Sequence, residues 1–213
     1  MSRGSASLMV KLQQDRAVRT RETIIKGAAE VFDEYGFNGA SISRIMKRAG
    51  VSQGAMYFHF KSKEDLARAV MNAQPDTVVP RLDSQGLQRI VDMTFVWAWQ
   101  IQRDVLLRAG VRLTNEQEGT SVRDASPYQE WAQILEMTLR QAQQEGEVGE
   151  SVDVRQLAEL LVSACTGMQM YANAVSGRQD LPERVVAMWR ILLPGVASEG
   201  IAESISLDVR RFL

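Results

Sequence analysis

The chain has 213 residues, with 25 basic and 26 acidic side chains, 45% apolar residues and one cysteine. This is enough for a small domain and a larger one. A single cysteine excludes an internal disulfide framework and fits a reducing cytoplasm, and one cysteine with one histidine is too few for a conventional zinc site. No apolar run approaches the roughly 18 residues of a membrane span, and no secretory signal is recognisable at the N-terminus. We therefore expect a cytoplasmic protein with neither a metal nor a membrane partner.

The charge is divided unevenly along the chain. Residues 1–72 hold 12 basic and 7 acidic side chains, a net charge of +5, whereas residues 73–213 hold 13 and 19, a net charge of −6. The first segment also contains all five lysines: Lys11, Lys26, Lys47, Lys61 and Lys63. A basic N-terminal segment on an acidic remainder is typical of a protein that contacts phosphates with one end only.

The N-terminal segment begins with a stretch that has no helical period. Residues 1–14 are polar and small, so we expect a flexible N-terminal arm over residues 1–15. The first helix is predicted from Arg16 to Tyr35, with Gly36 at its C-terminal end. Gly27 lies in the middle of this helix at a cost of about 1 kcal/mol, which indicates close packing against another helix.

Two short helices follow, joined by a turn. Ser41 can cap the first, which carries apolar residues at helical spacing up to Ala49 and ends at Gly50. Ser52 can cap the second, over about Gln53 to His59. A helix this short must dock on its neighbours, through Met56, Phe58 or Phe60. Two short helices joined by a glycine-containing turn form a helix-turn-helix unit.

The remaining face of the second helix is suited to a DNA major groove. Its small residues allow close approach of the backbone, and its Gln and Tyr side chains offer hydrogen bonds to base edges. We expect groove contacts from Gln53, Gly54, Ala55 and Tyr57, and phosphate contacts from Ser41, Ser52, His59, Lys61 and Lys63.

The rest of the chain is predicted to be helical. Ser62 can cap a connecting helix from Lys63 to about Gln74, where Pro75 weakens it. Beyond Pro80 there is no strand-like alternation, and further helices are predicted over Ser84–Asp104, Val105–Thr114, Ser126–Glu145, Asp153–Val175, Leu181–Gly195 and Val196–Arg211, with a polar loop over Asn115–Ala125. The predicted fold is all-α, with a helix-turn-helix DNA-binding domain over residues 16–62 and a helical ligand-binding and dimerisation domain over residues 63–213.

The helix-turn-helix also resembles a known family. The segment VSQGAMYFHFKSKEDL is similar to the signature of the TetR family of transcriptional repressors, and the resemblance spans about fifty residues, from Arg21 to Val70. It implies a homodimer that binds a palindromic double-stranded DNA operator, with Asp153–Val175 and Leu181–Arg211 at the dimer interface. A two-fold dimer also solves the problem that one short recognition helix reads only a few base pairs.

A narrower resemblance concerns the ligand. The segments DVLLRAGVRLT and PYQEWAQI are similar to the γ-butyrolactone autoregulator receptors, a branch of that family. This implies a small apolar signal of the butyrolactone, butenolide or furan type that releases the repressor, and ligand contacts from Gln74, Trp131 and Thr166. Thr166 could equally bond back to its own helix. We expect Met93, Trp97 and Leu135 to complete the pocket, and a tilt of the helix Lys63–Gln74 to transmit binding. Gln53 departs from the family, whose members commonly carry Lys there.

Three alternative functions require residues of other kinds. An enzyme would need a nucleophile with a base or paired acids, and neither Cys165 nor His59 has such a partner in sequence, so no enzymatic activity and no cofactor is expected. A structural protein with a remnant helix-turn-helix would not explain why Tyr57, His59 and Lys63 are grouped. A TetR-type regulator of an efflux pump that senses a cationic drug remains the alternative, with Asp92 and Asp104 near the edges of apolar helices as candidate acids.

Overall fold

A computed structural model describes residues 3–117 and 124–212, with side chains described for residues 14–117 and 124–211. The predicted all-α fold is confirmed. Within the described residues the chain forms ten α-helices. Their bounds are α1 Arg3–Gly39, α2 Ile42–Ala49, α3 Gln53–His59, α4 Lys63–Asn72, α5 Gln74–Val78, α6 Gly86–Gln100, α7 Val105–Asn115, α8 Ser126–Gln144, α9 Val154–Ser176 and α10 Leu181–Val196. None of the described helices is long and apolar enough to cross a membrane.

The helices form two compact units that do not coincide with the predicted domains. The first unit contains residues 1–74 and 105–124, and the second contains residues 75–104 and 125–213. Helices α4 and α7 therefore belong with the helix-turn-helix. Arg108 of α7 donates to both carboxylate oxygens of Asp33 on α1, with N···O distances of 2.7 to 3.0 Å, and Leu113 of α7 is buried in the same core. Sequence position alone had placed both helices in the ligand-binding domain.

The first unit is built around α1, against which α2, α3, α4 and α7 pack. Ile24 and Phe32 of α1 and Ile45 of α2 are fully buried in the core of this unit. The predicted close approach at Gly27 is confirmed, because a Cβ placed there would lie 2.8 Å from the Cβ of Ala49. The helix-turn-helix is therefore fixed on a helix longer than itself.

The second unit is an arrangement of long helices around α6. Helices α8 and α10 pack on α6, and α9 packs on α8 and α10. The indole N–H of the fully buried Trp189 on α10 donates to the hydroxyl of Thr94 on α6 at 2.8 Å. The carboxylate of Glu147 accepts from the backbone N–H of Leu87 at 2.6 Å and so satisfies one of the free N–H groups at the start of α6.

The structure changes the predicted start of α1 and the predicted end of α4. Helix α1 begins at Arg3, not Arg16, because an existing helix lengthens at little cost through helix-compatible residues. Helix α4 ends at Asn72, and a separate short helix begins at Gln74. Of the predicted loop over Asn115–Ala125, residues 118–123 lie outside the described part of the chain, as do residues 1–2 of the predicted arm.

The helix predicted over Val196–Arg211 is wrong. The chain is extended at Ala197, which forms an antiparallel bridge with Val148. Gly149 N–H donates to the carbonyl of Val196, and Ser198 N–H donates to the carbonyl of Glu147, both at 2.9 Å. Only 3-10 turns over Ala202–Ser204 and Val209–Phe212 follow. A pairing partner some fifty residues away holds this segment extended, which local periodicity does not reveal.

Candidate nucleic-acid interface and ligand-binding residues

The local sequence fixes both helices of the helix-turn-helix. The hydroxyl of Ser41 accepts from the backbone N–H of Arg44 at 3.3 Å, and that of Ser52 accepts from Ala55 N–H at 3.3 Å. Gly50 ends α2 with φ of 66°, a left-handed conformation that glycine adopts without strain. Ser41 and Ser52 are therefore N-caps, and their placement at helix starts leaves them beside any phosphate that approaches those termini.

Helix α3 docks through two of its three apolar candidates. Met56 is fully buried and Phe60 is 5% exposed, whereas Phe58 is 78% exposed. Of the three candidates, Phe58 therefore does not dock the helix. It lies on the outer side of the helix and makes an edge-to-face contact with His59, at 4.9 Å between ring centroids. Sequence reasoning did not include it among the candidate DNA contacts.

The residues predicted for the groove lie at or near the surface of α3. Gln53, Gly54 and Tyr57 are exposed, and Ala55 and His59 are partly buried. A Cβ placed on Gly54 would meet no atom within 4 Å. The first unit therefore leaves this face open at Gly54, where an approaching surface can come close to the backbone.

Lys61 and Lys63, both predicted to contact phosphates, are placed differently. Lys61 is exposed. The ammonium of Lys63 donates to the carbonyl oxygens of Phe37 at 2.8 Å and Ala40 at 3.2 Å, and lies 4.3 Å from the ring centroid of Phe37. This corrects the prediction for Lys63, because its ammonium already bonds carbonyl groups at the C-terminal end of α1.

Other basic residues of the first unit are also engaged. Arg48 donates to the carboxylates of Glu30 at 3.2 Å and Glu34 at 2.9 Å. The guanidinium of Arg21 lies 5.2 Å from the ring centroid of Phe60, in cation–π geometry, and remains exposed. Arg21 and Lys61 thus leave positive charge at the surface, whereas the charge of Arg48 is compensated.

Gln74, a predicted ligand contact, lies in the first unit. It is 3% exposed, and its amide N–H donates to the carbonyl of Met71 at 2.9 Å and to the hydroxyl of Thr114 at 3.2 Å. A Cβ on Gly110 of α7 would lie 2.6 Å from its Cγ, so glycine there makes room for this side chain. The structure thus gives the Gln74 amide a role in fixing the end of α4 on α7.

The other five predicted ligand contacts lie in the second unit. Met93 and Trp97 of α6 and Leu135 of α8 are buried, and Trp131 of α8 is partly buried. Thr166 of α9 is partly buried, and its hydroxyl donates to the carbonyl of Val162 at 2.8 Å. Of the two readings left open for Thr166, the structure shows the bond to its own helix.

Two side chains of the second unit are less buried than their positions imply. Trp131 is in the helical register of the buried Leu135 and Leu139, and Cys165 is in that of the buried Leu161 and Ala172, yet both keep solvent-accessible area. Burial nevertheless raises the pKa of the Cys165 thiol to about 12. Trp131 and Cys165 are therefore the partly accessible members of otherwise buried stripes on α8 and α9.

Asp92 was predicted to lie near the edge of an apolar helix, but the structure buries it. Its side chain is 1% exposed, and its carboxylate accepts from Gln88 at 2.7 Å and from Arg211 at 3.2 and 3.3 Å. Gln88 also bonds both backbone groups of Ser206. The acid therefore anchors the C-terminal segment, a role that no local pattern in the sequence indicates.

Comparison with known proteins agrees with this architecture. The family model described as bacterial regulatory proteins of the tetR family matches residues 24–70, and a tetracyclin repressor-like C-terminal domain matches residues 84–198. The A-factor receptor protein of Streptomyces griseus is 38% identical over 198 residues, which cover 93% of this chain and 71% of that protein.

Two solved structures are similar over nearly the whole chain. Full-length native tylp, a tetr regulator from Streptomyces fradiae, has a TM-score of 0.84 and 39% identity and covers 93% of this chain and 89% of its own. A gamma-butyrolactone receptor described as ArpA-like has a TM-score of 0.64 and 31% identity, with coverage of 92% and 96%. The resemblances to the TetR family and to its γ-butyrolactone receptor branch are both confirmed. The chain belongs to the TetR family of bacterial regulatory proteins.

Proposed function

We propose that this protein is a transcriptional repressor that binds a palindromic operator as a homodimer and is released by a small γ-butyrolactone-type signal. The observation that carries the DNA-binding part is the outer face of α3. Met56 and Phe60 anchor the helix, which leaves Gln53, Gly54 and Tyr57 exposed on a serine-capped helix of a helix-turn-helix. Such a face fits a major groove. A repressor of a bacterial operator would act in the cytoplasm.

Base reading is assigned to Gln53 and phosphate contact to Lys61. A glutamine amide can bond an adenine edge in bidentate fashion, so Gln53→Ala should alter base preference by about 1–3 kcal/mol. Lys61→Ala should weaken binding about equally on all sequences. Electrophoretic shift assays on a set of palindromic duplexes test both. If Lys61→Ala changed base preference while Gln53→Ala did not, the two roles would be reversed.

The homodimer is assigned to the exposed apolar residues of α9 and α10. Leu160, Met170, Tyr171 and Val175 on α9 are each more than half exposed in the single chain, and Ile191 on α10 is 78% exposed. Apolar residues exposed together in this way mark a protein–protein contact surface. Two-fold pairing would present two copies of α3 to adjacent major grooves.

The ligand is assigned to the second unit, beside Trp131 and Cys165. These two side chains are accessible within an otherwise buried register, and Met93, Trp97 and Leu135 supply apolar surface in the same unit. An apolar site with few polar groups fits a small, mostly apolar lactone. The similarity to the A-factor receptor protein and to a gamma-butyrolactone receptor supports the ligand class.

The alternative, a sensor of cationic drugs, has less support. Such a sensor needs a buried acid available to the cation. Asp92 is the buried acid of α6, but its carboxylate is already paired with Arg211 and Gln88. A cationic ligand would have to displace that arginine.

The deciding experiment is a shift assay of the protein on its operator against a panel of butyrolactones, butenolides and furans, with a cationic dye as the rival ligand. Release by one of the first three at micromolar concentration supports the proposal. Release by the dye alone would favour the drug sensor, and an operator complex that no compound releases would contradict a signal-responsive repressor of this kind.

A further inference from the structure

Gln169 on α9 is a buried polar side chain with an unused donor. It is 1% exposed, and its amide nitrogen has no hydrogen-bond partner among the described residues. A buried amide donor left without a partner costs about 1–3 kcal/mol, so native proteins keep few of them. Each one that a native structure keeps needs an explanation, such as strain, a catalytic role or a bound water or ion.

The orientation of this amide is fixed by Arg178. The guanidinium Nε of Arg178 donates to the Oε1 of Gln169 at 3.2 Å. Because a guanidinium can only donate, the oxygen must face it and the amide nitrogen must point the other way. Arg178 itself follows the C-cap Gly177 with a positive φ of 69°, the one non-glycine residue in that conformation among those described, and so folds back towards α9.

Gln169 also lies in the same stripe of α9 as Cys165. Leu161, Cys165, Gln169 and Ala172 recur at helical spacing, and Leu161 and Ala172 are fully buried. Helix α8 ends at Gln144 and α9 begins at Val154, and the two pack against each other. Residues equally far from the connection of such a helix pair lie roughly level, since both helices rise about 1.5 Å per residue. Trp131 is 13 residues before the end of α8, which places it level with residues 165–169 of α9.

We infer that the Gln169 amide N–H donates a hydrogen bond to the carbonyl oxygen of the bound signal and thereby determines selectivity for lactones over apolar ligands of the same shape. This inference rests on the proposed function and names a polar contact for it. Thr166, the polar residue predicted for this role, donates its hydroxyl proton to Val162. A site that is built to satisfy a polar group of its ligand rejects the analogue that lacks the group.

The test uses the full-length protein and two probes. One is a γ-butyrolactone with a long alkyl substituent, and the other is the tetrahydrofuran of the same shape without the carbonyl. Dissociation constants are measured by calorimetry for the wild type, Gln169→Met and Gln169→Glu. Gln156→Met, an exposed position of the same helix, is the matched control. Thermal unfolding verifies that each variant folds. Gln169→Met removes the unpaired donor but also the oxygen that accepts from Arg178, so its stability should stay within about 1 kcal/mol of the wild type.

The wild type and Gln156→Met should bind the lactone about tenfold more tightly than the ether. In Gln169→Met that preference should fall to within about twofold, through loss of lactone affinity alone. Gln169→Glu should also lose it, because a carboxylate faces the carbonyl with acceptors. A tenfold preference that persists in Gln169→Met overturns the inference, and so does an equal loss for both probes. If the wild type binds neither probe, the proposed ligand class is contradicted, and the hydrogen bond assigned to Gln169 is contradicted with it.

Discussion

Lys61 and Lys63 differ in what their ammonium groups contact, although they are two residues apart. Lys63 satisfies the carbonyls of Phe37 and Ala40, whereas Lys61 is exposed. Lys63 is the first residue of α4, and its ammonium bonds carbonyl groups at the C-terminal end of α1, which contributes to folding stability without involving DNA. Two lysines of one motif thus have separate effects.

We predict that Lys63→Ala lowers the free energy of unfolding by about 1–3 kcal/mol and leaves the salt dependence of operator binding unchanged, because it removes a partly buried donor. Lys61→Ala should leave stability unchanged and reduce the slope of log K against log salt by about 0.9. Urea denaturation and filter binding at several salt concentrations measure the two effects. The assignment fails if Lys63→Ala lowers the slope at unchanged stability.

Gln74, just after the other end of α4, is likewise a predicted contact residue that the structure gives a structural role. The sequence placed it in the ligand pocket, but its amide bonds Met71 and Thr114 within the first unit. A glutamine with two acceptors already in place acts first as a structural residue. This use of Gln74 is one reason to seek the polar contact to the signal elsewhere, at Gln169.

At the scale of elements, the recognition helix depends on how closely α2 approaches α1. Gly27 permits that approach, since a methyl group there would lie 2.8 Å from the Cβ and 2.9 Å from the backbone nitrogen of Ala49. Helix α2 in turn carries the turn and α3. The mid-helix glycine that weakens α1 locally is thus explained by packing.

Gly27→Ala should therefore lower stability by about 1–3 kcal/mol through overpacking, although alanine favours a helix over glycine by about 1 kcal/mol. The matched variant is Gly54→Ala on α3, where the new methyl group meets open space. It should keep or raise the melting temperature but weaken operator binding. Calorimetric melting and shift assays distinguish the two, and a stabilised Gly27→Ala would show that the helices can move apart.

At the scale of the whole molecule, operator binding depends on pairing two chains. Ile191→Glu places a charge on the proposed interface, where an unpaired buried charge costs several kcal/mol. We expect monomers in sedimentation at micromolar concentration and a loss of operator affinity of at least about 100-fold. Met137→Glu on α8, a position 73% exposed, is the control and should remain dimeric. A dimeric Ile191→Glu would place the interface elsewhere.

The signal and the operator must be coupled between the two units. The chain passes from one unit to the other between residues 74 and 75, 104 and 105, and 124 and 125. A ligand releases DNA only by preferring the conformation that binds DNA poorly, and a coupling of about 3 kcal/mol weakens operator binding about 150-fold. Coupling that is transmitted along the polypeptide must pass through one or more of these three connections.

Trp131→Ala should abolish that 150-fold effect while operator affinity without ligand stays within about threefold of the wild type, because α8 belongs to the unit without the helix-turn-helix. Met137→Ala, on the exposed side of α8, should respond normally. The measurement is a shift assay with and without saturating lactone. A Trp131→Ala protein that no longer bound DNA would make Trp131 a core residue, and one that still responded would place the ligand elsewhere.

Local signals in the sequence determined the helical class, the helix-turn-helix and its capping residues. Ser41, Gly50, Ser52 and Ser62 act through hydrogen bonds or dihedral angles within a few residues, so their effect is readable without the fold. The bounds of α2 and α3 follow from them. The family resemblance was carried by the same short segment.

Only the tertiary structure decided which unit each helix joins and what each polar side chain bonds. Asp33 and Arg108 are 75 residues apart, Asp92 and Arg211 are 119 apart, and Val148 pairs with Ala197. Neighbouring elements also decide that Phe60 is buried and Phe58 is exposed. They likewise bury Gln169 and leave its amide nitrogen without a hydrogen-bond partner among the described residues. These outcomes are contacts between segments distant in sequence, and periodicity along one helix holds no information about the partner on the other side.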